Sequence, residues 1–143
     1  MPSTQIFLGV DVAGADNTWV AGVAGTRHDR TVVLQPCQMT LSGIVEYAMG
    51  NDVAGVAIDA QLSHALSDER GFRSSDQTLR DLLPTECRNW VASLNSLMAV
   101  PVRGQMLADA LACDVPTILE THPRASLLFG IGDSCSSLVL DYK

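Results

Sequence analysis

The sequence predicts an α/β fold, a mixed five-stranded sheet with helices on its faces, and three observations carry that prediction. Three apolar segments joined by short links open the chain. Helical and strand patterns then alternate. Residues 53–60 form a continuous run of small or β-branched apolar residues broken by one carboxylate, Asp59, which is typical of a strand in a sheet covered on both faces.

The opening segments, residues 5–12, 18–25 and 31–38, predict three strands. Their short links favour antiparallel neighbours, because parallel pairs need a long crossover. A helix follows with Thr40 as its N-cap, because apolar residues recur at helical spacing. These residues are Leu41, Ile44, Val45, Ala48 and Met49. The strand at 53–60 comes next, so the order strand, helix, strand predicts a crossover.

The second half alternates in the same way. Ser75 or Asp76 is the expected cap of a helix that ends at Leu83, and residues 90–98 have only a weak helical pattern. Pro101 suits the first turn of a helix to about Cys113, and a strand at 116–121 follows. Pro123 opens a last helix to about Phe129. Strand four beside strand one, and strand five beside strand four, complete the predicted sheet.

Length and composition limit the classes of protein. The 143 residues suit one domain without an internal boundary, and the net charge of −7 argues against a broad basic face for nucleic acid while allowing a local contact. None of the four cysteines forms a C-x-x-C pattern, so we expect free thiols and no zinc site. The lack of a long apolar run and of a secretion pattern predicts no membrane association and a cytoplasmic location.

Three acids, Asp11, Asp59 and Glu120, stand at or near the ends of predicted strands. Two carboxylates ~4 Å apart repel by about 4 kcal/mol at an effective dielectric of 20, so a cluster of acids calls for a shared proton or a cation. A site of carboxylates without His or Cys suits Mg²⁺ or Mn²⁺. Two such ions roughly 3.5–4 Å apart support phosphodiester hydrolysis, which makes these residues candidate metal ligands and catalytic residues.

Structural roles are open for the same residues. Asp11 can hydrogen-bond the turn at Gly14, and Glu120 can cap the last helix. His64 and His122 are either proton-transfer groups or ordinary loop histidines. The side chains of Trp19 and Trp90 are expected in the core. Four arginines are either phosphate contacts or surface ion pairs, namely Arg73, Arg80, Arg103 and Arg124.

Five motifs in order resemble a known family. They are Gly9-Val10-Asp11-Val12-Ala13-Gly14, Ala57-Ile58-Asp59-Ala60-Gln61-Leu62-Ser63, Gly71-Phe72-Arg73-Ser74-Ser75-Asp76 with Arg80, Arg103-Gly104, and Glu120-Thr121-His122-Pro123-Arg124-Ala125. The chain thereby resembles the predicted-nuclease family of ribonuclease H-like fold, also called domain of unknown function 429, over nearly its whole length.

The resemblance implies a sheet of order 3-2-1-4-5 and a metal-dependent nuclease. Asp11, Asp59 and Glu120 would ligate the metal, and Arg73, Arg103 and Arg124 would contact the phosphates of a nucleic acid. Members of the family usually have proline where Gln61 stands. They also continue beyond the equivalent of Tyr142-Lys143 into a helix with another aspartate, so we expect an incomplete ligand set unless Asp141 folds back.

Two other functions stay open. A non-catalytic binding or assembly module with a degenerate site is the first. Because the missing helix would expose apolar surface, a partner or self-association is expected as well. The second is an enzyme acting on nucleotide phosphates, built on the related actin-like sheet, in which Asp11 would hold Mg²⁺ and the Gly14 turn would face the phosphates. That fold normally repeats the domain, and this sequence has one copy.

Overall fold

The computed structural model describes residues 5–26, 28–64, 67–97 and 99–131. Within them the strands are β1 (Ile6–Asp11), β2 (Trp19–Gly25), β3 (Arg30–Gln38), β4 (Val53–Asp59) and β5 (Ile118–Glu120). The α-helices are α1 (Leu41–Gly50), α2 (Ser74–Leu82), α3 (Leu94–Leu97), α4 (Ala99–Leu111) and α5 (Pro123–Ile131), and Thr85–Trp90 is a 3-10 helix. The expectations for Cys135 and Asp141 lie outside the described residues.

The chain divides into two compact units. The first contains the described residues up to Ser63 together with those from Ala99 to Glu120, and the second contains the described residues of His64–Leu97 and those from Thr121 onward. The first unit therefore holds the whole sheet with α1 and α4. The chain passes from one unit to the other three times, and the sequence shows no boundary signal at any of these crossings.

The sheet has the order β3-β2-β1-β4-β5, which confirms the prediction. β1 pairs antiparallel with β2 and parallel with β4. β2 pairs antiparallel with β3, and β4 pairs parallel with β5. The short links hold the first three strands as a meander, whereas α1 and α4 supply the long connections that parallel pairs require. β1 is thus the strand at which the pairing changes direction.

One face of the sheet carries the core of the first unit. Leu8 and Val10 of β1 and Ile58 of β4 are buried there with Ile44 of α1 and Leu107 of α4. Alternate residues of the same strands point to the other face, because side chains alternate along a strand. On that face Phe7, Trp19 and Leu119 are 41%, 44% and 57% exposed. The prediction that Trp19 lies in the core is therefore wrong, since the register places it on this less covered face.

Helix α1 begins where the sequence predicts. The N–H of Gly43 donates to Oγ1 of Thr40 at 3.1 Å, so the Thr40 side chain satisfies one of the backbone donors that every helix start leaves unpaired. The buried residues of the helix are Ile44 and Ala48, which are four positions apart on one face.

The second unit has a small core of its own. Leu83, Cys87, Val91 and Ala125 are buried together, and Trp90 is half-buried against them. Helix α2 starts earlier than predicted: Asp76 lies in its first turn, and the backbone N–H of Arg73 donates to the Asp76 carboxylate at 3.0 Å. No helix in the described part of the chain is long and apolar enough to cross a membrane.

Candidate metal centre at the ends of β1 and β4

Asp11 and Asp59 end two adjacent parallel strands. β1 and β4 pair from Phe7 opposite Gly55 onward without a shift, and the last pair of the ladder is Asp11 opposite Asp59. Paired residues of neighbouring strands extend from the same face of a sheet, and neighbouring strands lie about 4.8 Å apart. The register therefore places the two carboxylates side by side at the carboxyl end of the sheet.

The environments of the two acids differ. Asp11 is exposed and Asp59 is half-buried. Like charges directly opposite each other destabilise a sheet, and burial raises the repulsion because less water screens it. The pair therefore gains from any cation that sits between its oxygens.

The side chain of Glu120 extends from the opposite face of the sheet to those of the two aspartates. β5 pairs with β4 so that Glu120 lies opposite Ile58, one residue before Asp59. Its side chain therefore leaves the strand on the face of the buried Ile58, opposite to the face of Asp59. Oε2 of Glu120 accepts a hydrogen bond from the backbone N–H of Leu62 at 2.9 Å. The register thus brings Asp11 and Asp59 together directly and gives Glu120 a contact in the loop that follows Asp59.

Thr18, not Asp11, holds the turn that follows β1. The N–H of Ala13 donates to Oγ1 of Thr18, and the Thr18 hydroxyl donates to the carbonyl of Gly14, both at 3.4 Å. Thr18 is fully buried, and the N–H of Asn17 closes the same turn on the Gly14 carbonyl at 3.2 Å. The structural role considered for Asp11 is thus filled by another residue, which sequence reasoning missed because a threonine beside a strand carries no distinctive signal.

Arg103 is the predicted phosphate contact that belongs to the same unit as the aspartates. It is half-buried on α4, and its Nε donates to the carbonyl of Ala13 at 2.8 Å. Ala13 is two residues beyond Asp11, so the guanidinium stands at the loop that leaves β1. A cation in this position suits an anion that approaches the two carboxylates.

The other predicted arginines belong to the second unit. Arg73 is 2% exposed, and its guanidinium forms a two-point ion pair with Asp76, with Nη2 to Oδ1 at 2.6 Å and Nε to Oδ2 at 3.0 Å. The phosphate contact expected of Arg73 stays a prediction. Arg124 lies over the ring of Trp90 at 5.9 Å and is half-buried.

The structure also shows the hydrogen bonds of Arg80 and the exposure of the two candidate histidines. Nη1 of Arg80 donates to the carbonyls of Arg88 and Val91, at 2.7 and 3.1 Å, which gives Arg80 a structural contact inside the second unit. His64 is exposed and His122 is half-buried. The carbonyl of His122 accepts the N–H of Ser126 at the start of α5. Their predicted roles in proton transfer stay predictions.

The donor set of the aspartate pair fits a hard divalent cation. Two carboxylates offer four oxygen atoms, one acid is open to solvent, and Mg²⁺ binds through one or two carboxylates while it keeps several waters. A softer metal would favour Cys or His ligands. Asp11 and Asp59 would hold the ion. That Glu120 is a third ligand stays a prediction.

Comparisons of the sequence and fold with protein-family models, with curated proteins and with solved structures each found no match. The resemblance to the predicted-nuclease family therefore stays a prediction.

Proposed function

We propose that the protein is a Mg²⁺- or Mn²⁺-dependent phosphodiesterase that acts on nucleic acid. The observation that supports this proposal is the pairing of Asp11 with Asp59 at the ends of β1 and β4. Ligands of open α/β sheets bind outside the carboxyl ends of strands where the strand order switches, and β1 is such a strand. Its neighbours are an antiparallel strand on one side and a parallel strand on the other.

The proposed roles follow from exposure. A bound divalent ion would supply charge stabilisation for a phosphate and a more acidic water. The half-buried Asp59 would be the more rigidly held ligand of the ion, whereas the exposed Asp11 can also contact solvent and substrate. Arg103, fixed to the loop after β1, orients the phosphate group by charge-assisted hydrogen bonds.

Nucleic acid is the proposed substrate, with a contact limited to few phosphates. The net charge of −7 disfavours contact with many phosphates along a nucleic acid. Each phosphate contact also makes binding more dependent on salt. We therefore expect binding with a shallow dependence on salt. A cytoplasmic location and self-association belong to the same proposal.

The test is a cleavage assay on single- and double-stranded DNA and RNA with Mg²⁺ or Mn²⁺. Wild-type protein is compared with Asp59→Asn, and with Asp52→Asn as a matched control, because Asp52 is an exposed acid directly before the first residue of β4. We expect cleavage by the wild type and by Asp52→Asn, and a loss of more than about a hundredfold in Asp59→Asn.

Cleavage that survives Asp59→Asn would contradict the proposal, because the activity would then come from another site or a contaminant. Calorimetric titration with Mn²⁺ is the second measurement. Binding that Asp59→Asn abolishes, without cleavage of any substrate, would favour the non-catalytic binding module. Absence of Mn²⁺ binding by the wild type would overturn the metal site itself.

A further inference from the structure

A side chain of β5 forms a hydrogen bond with the loop that follows β4. Three residues after Asp59, the N–H of Leu62 donates to Oε2 of Glu120 at 2.9 Å. The two residues are 58 positions apart in the sequence, so this contact joins the ends of two strands that only the folded sheet brings together. Leu62 is half-buried and packs against the core of the first unit.

The direction of Glu120 separates it from the aspartate pair. Glu120 shares its register position with Ile58, which is completely buried, whereas Asp59 shares its position with Asp11. Successive residues of a strand extend to opposite faces. The carboxylate of Glu120 therefore reaches the loop from the core face, and the carboxylates of Asp11 and Asp59 leave the sheet on the other face.

We infer that Glu120 is a positioning residue, which holds the segment from Ala60 to Leu62 and thereby the direction of Asp59, and that it is not a ligand of the ion. A carboxylate gives its hydrogen bond to a backbone N–H extra strength, and this bond restrains the residues directly after Asp59. The inference rests on the proposed function for the ion, but the tether between Glu120 and Leu62 does not depend on it.

Substitutions at Glu120 separate the two roles. Glu120→Gln keeps a carbonyl oxygen that accepts the Leu62 N–H but has no charge to offer a cation, and Glu120→Ala removes the acceptor. Asp59→Asn serves as the reference for a lost ligand. The measurements are the Mn²⁺ affinity by calorimetry and the hydrogen-exchange rate of the Leu62 amide by NMR, both on the full chain.

We expect Glu120→Gln to keep the Mn²⁺ affinity within about threefold of the wild type, and Asp59→Asn to lower it by more than about a hundredfold. Glu120→Ala lowers it by roughly tenfold, as the loss of a group that orients a ligand does. The Leu62 amide exchanges at the wild-type rate in Glu120→Gln, within about threefold, and more than about tenfold faster in Glu120→Ala.

A fall in Mn²⁺ affinity in Glu120→Gln as large as that in Asp59→Asn would overturn the inference, because Glu120 would then be a ligand. Wild-type exchange of the Leu62 amide in Glu120→Ala would overturn the tether. If the wild type binds no Mn²⁺, the proposed function fails, while the exchange rates still decide the tether. Should Glu120→Ala not fold, slow exchange of the Leu62 amide in Glu120→Gln supports the tether and fast exchange overturns it.

Discussion

Gly104 of α4 lies against Ala60, the residue that follows β4. A β-carbon built on Gly104 would stand 2.5 Å from the β-carbon of Ala60, which is closer than real β-carbons approach. The absence of a side chain at this one position therefore lets α4 pack against the end of β4 at backbone distance. The preceding helix residue, Arg103, reaches the carbonyl of Ala13 at 2.8 Å.

Gly104→Ala should destabilise the protein by about 1–3 kcal/mol, because the added methyl group overpacks this contact. This loss is expected although helix propensity by itself favours alanine over glycine by roughly 1 kcal/mol. Adding Ala60→Gly removes the clashing methyl group and should restore part of the loss. Urea denaturation measures all three proteins.

Gly130→Ala is the matched control for helix propensity, since no atom of the described residues lies within 4 Å of a β-carbon at this position in α5. It should be neutral or stabilising by up to about 1 kcal/mol. If Gly104→Ala is as stable as Gly130→Ala, the close contact with Ala60 is absent in solution.

The buried ion pair of α2 predicts a large effect of losing one partner. Arg73 and Asp76 are 2% and 1% exposed, so Asp76→Asn removes the Asp76 charge from beside a buried guanidinium. We expect a loss of about 3–5 kcal/mol in the free energy of unfolding. Arg70→Ala, which removes the exposed pair with Asp68, should cost less than about 1 kcal/mol. Similar losses in the two variants would argue against burial of the Arg73 pair.

Asp68 gives the protein a pH-dependent contribution to stability. The N–H of Phe72 donates to its carboxylate at 3.0 Å, and this hydrogen bond, with that of Arg70, holds the pKa of Asp68 below its ordinary value despite some opposing desolvation. A depressed folded pKa stabilises the protein above the unfolded pKa, and the gain is lost as the pH falls through the folded pKa.

The stability difference between wild type and Asp68→Asn should therefore be largest near neutral pH. It should shrink as the pH falls below the ordinary carboxyl range, as measured by urea denaturation between about pH 7 and 3. A difference that stays constant over this range would show that the Asp68 charge contributes nothing.

The cysteines of the described chain should react at different rates. Burial raises the pKa of the Cys87 thiol, with a smaller contribution from the nearby Glu86 charge, whereas Cys113 is exposed. The thiolate is the reactive form, so we expect iodoacetamide at pH 8 to modify Cys113 at least about tenfold faster than Cys87. Peptide mass spectrometry measures each site, and equal labelling in urea is the control. Comparable rates in the native protein would contradict the burial of Cys87.

Asp11→Asn should raise stability without metal and reduce the stability gained from Mn²⁺. In a chelator the variant should melt at a higher temperature than the wild type, because it removes one of two like charges that face each other. With Mn²⁺ in excess the wild type should gain stability by binding, and the variant should gain less. Thermal unfolding in the two buffers measures both effects. Equal shifts with Mn²⁺ in both proteins would exclude Asp11 as a ligand.

Much of the fold could be predicted from the sequence, because it depends on local patterns. Link lengths determine the meander, and the apolar spacing with Thr40 determines α1. The positions of Asp11 and Asp59 at strand ends follow from the same patterns. The direction of Glu120 could not be predicted, since a register shift of one residue changes the face of the sheet. The burial of Arg73 and the role of Thr18 depend on tertiary neighbours that no local pattern reports.

The pairing of β1 with β4 also has a consequence for the order in which the protein folds. The meander joins strands that are close in sequence, whereas β4 reaches β1 only after the chain has passed through β2, β3 and α1. Contacts between distant residues cost more loop entropy and form more slowly. We therefore expect the two aspartates to meet after the meander has formed. Their repulsion would then oppose a later step of sheet assembly and not the formation of the meander.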